Sequence, residues 1–385
     1  MKRFRVALLI ETSQIYGREL YEGIADYFEG GVKWSTFLDQ RQLSSTIPRW
    51  FTSQKWDGVI SRVTTPALAR VIKRKTIPAV DLTDRIAPLG IPRIASDQEA
   101  IGELVAEHFL ARQFRNFAFC GFRGEYWSEG RLSGFRERLQ RERYTTVVYN
   151  SHWHEPDAMP WNLEQRELSR WIQKLPKPIG IMACNDQRGH QVLEACRLLD
   201  TAVPKEVSVI GVDDDRVLCR LSDPPLSSVV PNARKIGFQS AKLLSQLMNR
   251  KGQDQKEILI PPIRISSRRS SEAFAIEEPT LAAVMELIQQ QSCEGLGVSD
   301  ILKQFPVSRS WLERQFRETV GATPHSLIRR TQLNRAMQLL SDSTLSLKEV
   351  SKECGFTNIE YFYYLFRKVT GVTPGQYRER NSSLS

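Results

Sequence analysis

Nucleotide-binding glycine loops, paired cysteines and long apolar runs are all missing from this 385-residue chain. It has no GxGxxG fingerprint, no GxxxxGK[ST] loop and no GxSxG elbow, so dinucleotide, P-loop and hydrolase chemistry lack a carrier. Its six cysteines (Cys120, Cys184, Cys196, Cys219, Cys293 and Cys354) form no CxxC pair, and histidines number only five. Neither a zinc site nor a disulfide framework is expected; the thiols read as reduced and mostly buried, and no cofactor is called for. His152 and His154, a lone HxH pair, read as a surface loop. No apolar run approaches the roughly 20 residues of a membrane-spanning helix. The longest, Val6 to Ile10, is closed by Glu11. Met1-Lys2-Arg3 ahead of it imitates a secretory signal only faintly, since the run is short and no small-residue cleavage site follows. The expectation is a cytoplasmic protein with no membrane partner.

What is present is an ordinary globular composition, 41% hydrophobic and 25% charged, with a net charge of +10. The length suits two or three domains. The basic balance favours an anionic partner, nucleic acid first. It does not locate the surface, because residues 281–385 hold 13 Lys and Arg against 10 Asp and Glu.

From residue 4 to about 268, β-rich runs alternate with helical patterns. The strands are expected at 4–10, 34–38, 58–62, 79–82, 116–122, 145–149, 179–184 and 207–212. The helices are expected at 16–29, 66–75, 98–112, 128–142, 163–174, 187–199 and 234–249. Several strands are continuously apolar, as parallel strands buried on both faces must be. Alternation of this kind implies right-handed βαβ units, and about eight strands fit two doubly wound lobes with a ligand cleft between them. The Ser- and Arg-rich stretch Ile265 to Glu272 reads as a solvated linker. The expected division is thus 1–268, a linker at 269–279, and an all-α region at 280–385, with Thr280 as N-cap of its first helix.

That last region repeats itself at an offset of 50 residues. Leu312 matches Phe362, Phe316 matches Phe366, Arg317 matches Arg367, and Gly321-Ala-Thr-Pro324 matches Gly371-Val-Thr-Pro374. Each copy reads as helix, tight turn, helix: two helix-turn-helix units. Opposite its apolar pair, each second helix offers a polar face. The first presents Arg309, Ser310, Glu313, Arg314 and Arg317; the second presents Ile359, Glu360, Tyr363, Tyr364, Arg367 and Lys368. A major groove admits one helix, where Arg grips guanine, Glu accepts from cytosine, and Ile or Tyr meets thymine methyls.

The run Gly355-Phe356, Tyr361-Phe362, Phe366-Arg367-Lys368, Gly371-Val372-Thr373-Pro374 and Tyr377-Arg378 resembles the AraC/XylS signature. That resemblance covers about 280–380. It implies two recognition helices in successive major grooves, with Ser310, Glu313, Arg314, Ile359, Glu360, Tyr363 and Tyr364 at base-contacting positions. Pro306 departs from the usual turn Gly and Ser351 from a usual Ala. Val209 to Asp214 and Cys184-Asn-Asp186 resemble the LacI-type sugar sensor, a type I periplasmic-binding fold. The whole order of parts, with the reader after the sensor, resembles regulators of bacterial xylose catabolism. It implies D-xylose as effector, activation of catabolic genes, double-stranded promoter DNA as partner, a homodimer, and RNA polymerase as a further contact.

The residue chemistry agrees with a sugar pocket. Asp186 and Asp213 end parallel strands at the edge where open α/β sheets bind ligands. Carboxylates there accept hydroxyl donors, each such bond to a charged group being worth about 1.5–3 kcal/mol. Arg131 supplies a donor fork, and Trp127 a face for a pyranose ring; the resemblance also puts Arg131, Asp186 and Asp213 at sugar-contacting positions. Glu11 and Asp97, acidic residues at strand ends of the first lobe, are further candidates for the same cleft. Two carboxylates favour a neutral polyol over a phosphosugar. An α/β enzyme is disfavoured by the missing loops, and a transport-type sugar-binding protein by the appended double helix-turn-helix.

Overall fold

The computed structural model describes residues 3–31, 34–38, 49–153, 159–249, 257–276, 278–343 and 345–381. His154 lies outside them. The chain opens with β1 (Phe4–Leu9), α1 (Ile15–Glu29), β2 (Trp34–Leu38), α2 (Arg49–Ser53), β3 (Gly58–Ser61), α3 (Pro66–Arg74), β4 (Ala79–Asp81) and β5 (Arg93–Ser96). It then crosses to a second lobe through α4 (Gln98–Leu110), β6 (Phe117–Phe122), α5 (Tyr126–Arg141), β7 (Thr146–Ser151), α6 (Trp161–Gln173), β8 (Ile179–Ala183), α7 (Asp186–Leu198), β9 (Val207–Val212), α8 (Arg216–Leu221) and β10 (Ser227–Val230). It returns with α9 (Ala233–Met248) and β11 (Glu257–Ile260), and crosses once more into β12 (Arg264–Ser266). Three crossings therefore join two six-stranded sheets, ordered β11-β5-β4-β3-β1-β2 and β12-β10-β9-β8-β6-β7.

Both sheets are parallel except for β12, which runs antiparallel to β10. The period of two explains the continuous apolar strands. In β1, Val6 and Leu8 feed the core on one face while Ala7 and Leu9 feed the other. In β6, Phe117 and Phe119 point one way, Ala118 and Cys120 the other. Both faces are covered by helices, so no polar alternation survives. In the second lobe α4 and α5 touch backbone to backbone: a Cβ on Gly134 would stand 2.0 Å from the Glu99 carbonyl oxygen, so only glycine permits the approach.

The four strands that the sequence pattern missed, β5, β10, β11 and β12, are three or four residues long and carry Arg, Ser or Glu. The Ser/Arg-rich stretch is not a solvated linker. Part of it is β12, Arg268 is buried against Asp214 at 2.7 Å, and Ser270 and Ser271 are fully buried. The Ser270 hydroxyl donates to the Val209 carbonyl (2.7 Å) and accepts from the Ser227 amide (2.8 Å). Its polar composition is that of an internal hydrogen-bond network, which burial demands.

The remaining helices are α10 (Pro279–Gln291), α11 (Val298–Gln304), α12 (Arg309–Val320), α13 (Pro324–Asp342), α14 (Leu347–Glu353), α15 (Ile359–Thr370) and α16 (Pro374–Asn381). Glu278, not Thr280, caps α10: its carboxylate takes the Thr280 and Leu281 amides, leaving Pro279 at the first helical position, where a missing N–H costs nothing. Each helix-turn-helix unit has its own apolar cluster, and α13 feeds both, with Leu327 and Ile328 in the first and Leu333, Ala336 and Leu340 in the second.

Candidate functional site

In each sheet the strand order reverses once, between β1 and β3 in the first lobe and between β6 and β8 in the second. Crevices open at the C-terminal ends of such strands. Just past β1 and β3 stand Glu11 and Arg62, whose side chains are ion-paired and buried. Arg62 also reaches Asp84 at 3.3 Å and lies 4.3 Å over the ring of Tyr16. The Tyr16 hydroxyl shares a 2.8 Å hydrogen bond with Ser96. The second lobe builds a similar unit. Arg131 lies 4.8 Å over the ring of Trp127, donates to Gln98 at 2.8 Å and to the Cys184 carbonyl, and meets Asp213 at 3.5 Å.

The two units share one electrostatic field. Burial raises the Asp213 carboxyl, Arg131 and then Arg62 pull it down, and Asp84 pushes it up; Arg62 and Asp84 belong to the other lobe. Burial likewise raises the Tyr16 hydroxyl, with Asp84 and Asp213 adding to it. Among the described residues, Glu11 Oε2, Arg62 Nε and Gln98 Nε2 are buried polar atoms without a hydrogen-bond partner. Buried polar groups are nearly always satisfied. An acceptor and two donors left over beside a cleft fit a ligand carrying hydroxyls.

Asp213 is held there by a strained loop. Its φ is 107° and that of Asp214 is 51°, the left-handed region that side chains avoid. Three successive amides pin the turn: Asp213 N to the Val229 carbonyl (3.0 Å), Asp214 N to Ser228 Oγ (3.0 Å), and Asp215 N to Asp186 Oδ2 (2.7 Å). Asp186 Oδ1 accepts from Ser228 Oγ at 2.6 Å. Each Asp186 oxygen thus already serves the protein. Asp186 positions Asp213 rather than facing the cleft with a free carboxylate, and burial raises its own carboxyl.

Trp127 also differs from the expected sugar platform. It is buried in the second-lobe core, its Nε1 donates to Glu125 at 3.0 Å, Trp153 abuts it edge-on, and one face carries Arg131. It supports the guanidinium. Asp97 caps α4 by accepting from the Ala100 amide at 2.9 Å, whereas Glu11 is fully buried against Arg62, just past β1. Arg62, Asp84 and Tyr16 escaped the sequence reading. The strand-end rule applied to β3 flags Arg62; nothing local marks the other two. A cross-lobe clasp also escaped it: Arg85, after β4, pairs with Glu125 at the start of α5, and the Tyr126 amide donates to the Arg85 carbonyl at 3.1 Å.

The second candidate surface is the double helix-turn-helix. Leu312 and Phe316 on α12, and Phe362 and Phe366 on α15, are fully buried. The 50-residue offset extends to the caps: Ser308 and Asn358 accept from the Trp311 and Tyr361 amides at 3.1 and 2.9 Å. Gly321 and Gly371 end their helices at φ 67° and 77°, and Thr-Pro opens the next, so Gly-x-Thr-Pro is a stop followed by a start. Ser310, Glu313, Arg314, Ile359, Glu360 and Tyr364 are exposed. Tyr363 is not; it is half-buried, edge-on to Phe362 in the core of the second unit. Tyr361 is exposed instead, its ring 5.2 Å from Arg329.

Residues 5–87 match a model of the XylR N-terminal domain, 106–271 one of a periplasmic binding protein-like domain, and 301–380 one of a helix-turn-helix domain. Over 395 residues the chain is 33% identical to the xylose operon regulatory protein of Escherichia coli strain K12, covering 100% of this chain and 99% of that protein. The corresponding protein of Haemophilus influenzae is 30% identical over 383 residues, 97% of this chain and 98% of the relative. A solved structure of the xylose-binding transcription activator XylR matches with a TM-score of 0.66 and 32% identity, covering all of both chains.

Proposed function

The chain belongs to the family of xylose operon regulatory proteins, and from that premise we propose that it activates transcription on binding D-xylose between its two lobes. It is a transcription regulator and not an enzyme. The observation that supports the sugar reading is that Asp213, paired with Arg131 in the second lobe, feels the charges of Arg62 and Asp84 of the first, where Arg62 is paired with Glu11, and that unpaired buried donors and an acceptor lie in the same two groups. Such a mixed set gives both donors and acceptors to a polyol. Each hydroxyl bonded to a charged group contributes about 1.5–3 kcal/mol. A sugar epimer that leaves one of these groups unpaired loses that contribution and meets its desolvation cost. The pentose assignment itself rests on the family.

In this reading Asp213 and Arg131 grip the sugar from the second lobe and Arg62 from the first. Asp186 and Trp127 position them. Sugar favours the closed arrangement only by its differential affinity for it. The reader comprises α10–α16, and the exposed residues of α12 and α15 enter successive major grooves of promoter DNA, Arg314 and Glu313 in one, Ile359, Glu360 and Tyr364 in the next. A homodimer supplies paired readers, RNA polymerase is the further contact through which activation acts, and the cytoplasm is where such a protein meets its DNA.

Isothermal titration of the full chain tests the sugar site. D-xylose is expected to bind, L-arabinose and D-ribose far more weakly. Asp213→Ala is expected to abolish xylose heat while gel-shift affinity for promoter DNA without sugar persists. Binding of L-arabinose or D-ribose in preference to xylose, or a fully xylose-responsive Asp213→Ala, defeats the assignment.

A further inference from the structure

Where the second lobe meets α13, a cavity of about 400 Å³ collects guanidinium groups from both sides. The sensor contributes Arg112, Arg268 and Arg269; α13 contributes Arg330 and Arg335. One carboxylate, Glu272, lies among them. Arg268 is already neutralised by Asp214. Among the described residues, none of the other four makes an ion pair with an acidic side chain, and Glu272 makes none either. Arg112 spends its Nη1 on the His108 carbonyl at 3.3 Å, its Nε is buried without a partner, and its plane lies 5.7 Å from the Phe274 ring. Among the described residues, Arg335 donates to Gln338, at 2.9 Å.

We propose that this junction binds a small dianion of the phosphate-ester or diphosphate class, held between guanidinium forks of the sensor and of α13. Four unpaired guanidiniums against one carboxylate leave an excess of positive charge that a neutral sugar does not relieve. Planar forks take phosphate oxygens two at a time. Burial and then Arg330 push Arg112 down to about 9, and burial with Arg112 and Arg330 lowers the His108 imidazole, so like charges add to the cost of burial here. Burial raises Glu272, with Arg112, Arg269 and Arg335 opposing it.

The occupant is a small molecule rather than the DNA backbone because of where the cavity opens. Leu327, Arg330, Thr331, Asn334, Arg335 and Gln338 recur every three or four residues, which is one face of α13, and that face looks at the sensor. The recognition residues stand on α12 and α15 instead. Glutamines 289 and 290 of α10 complete the wall with further donors. Because the ligand touches both domains, it fastens the reader to the second lobe, independently of the sugar cleft.

The test uses the full chain and sodium pyrophosphate as probe, with sodium chloride at matched ionic strength as control, read by thermal shift and titration calorimetry. Saturable stabilisation by pyrophosphate but not chloride is expected. Arg330→Gln and Arg112→Gln should each weaken it by about tenfold or more, the loss of a charge-assisted hydrogen bond. Arg314→Gln, on the DNA face, should leave pyrophosphate binding unchanged, and all three should bind D-xylose as the parent does. Should Arg112→Gln fail to fold, the exposed Arg330 carries the test alone. Absence of saturation, an equal effect of chloride, or full binding by Arg330→Gln overturns the site. So does a fall in the salt dependence of DNA binding in Arg330→Gln with pyrophosphate binding intact, which would assign that guanidinium to DNA phosphates.

Discussion

The sensor buries its candidate binding charges and the reader displays its own. In the candidate cleft, Arg62, Glu11 and Asp84 are nearly inaccessible and tied to one another, and Arg131 is tied to Asp213. On the reader, Arg309, Glu313, Arg314 and Arg317 stand in solvent over a core made of Leu312, Phe316 and their neighbours, and the one close pair among them, Arg309 with Glu313 at 3.7 Å, is exposed. A small ligand must be enclosed, so the groups that recognise it share the desolvation of the fold. A double helix is met from outside, so the groups that read it are free of the core. The difference predicts that sensor substitutions couple stability to recognition and reader substitutions separate them.

The largest effect is expected from Arg62→Ala. It leaves Glu11 and Asp84 buried without their cation, and breaking a buried pair costs about 3–5 kcal/mol. Urea unfolding of the full chain should show that loss in the sensor transition, and xylose binding should go with it. Phe366→Ala should cost the reader a similar amount, about 3–5 kcal/mol for an emptied aromatic site. Here the comparison sharpens: DNA binding is expected to vanish while calorimetric xylose binding stays. If xylose binding falls as well, the two regions are less separate than their cores indicate.

Arg314→Ala should cost about 1–3 kcal/mol of specific DNA affinity if it holds a base edge, with preference relaxed at one base pair and the melting temperature unmoved. Equal losses on specific and random DNA would move Arg314 from base reading to phosphate contact. The smallest effect concerns Glu19 of α1, whose carboxyl feels the charges of Asp214, Arg216, Asp213 and Arg234. Burial first and Asp214 next push its carboxyl from 4.5 up to about 7. The folded state therefore holds that proton more tightly than the unfolded chain, so its contribution to stability is greatest below about pH 5 and is lost as pH rises through 7. Glu19→Gln should flatten the melting temperature between pH 5 and 8. An unchanged slope would show that Glu19 does not feel the second lobe.

What could be read in advance followed the range of the interactions. The strands with apolar runs, the helices between them and the repeated units are written in local periodicity, and Gly321 and Gly371 announce their turns by residue type alone. Arg131 and Asp213 were legible because each follows from an edge rule or a resemblance, and they do meet, at 3.5 Å. The rest was set by tertiary context. Asp186 looks from the sequence like any strand-end carboxylate; only the folded loop reveals that Ser228 and Asp215 use both its oxygens. Trp127 and Arg131 are four apart on a helix, so their stacking was within reach, but that the ring would lie buried beneath the guanidinium and bonded to Glu125 was not. The Ser/Arg stretch misled because composition cannot distinguish polar residues kept wet from polar residues that satisfy one another inside.

The three crossings between lobes have a mechanical consequence. The chain finally leaves the sensor through β12, so the reader is bolted to the second lobe: the Ala275 amide donates to the Arg112 carbonyl, Phe274 enters the reader core, and Lys205 meets Glu286 at 3.1 Å. In the frame of that lobe, the closure proposed above would move only the first lobe and leave α12 and α15 where they are. On that proposal a single copy has no lever by which sugar could reorient its own reader. The proposed signal would then need a second reference body for the first lobe to push or release, as a caliper registers a jaw only by what it grips.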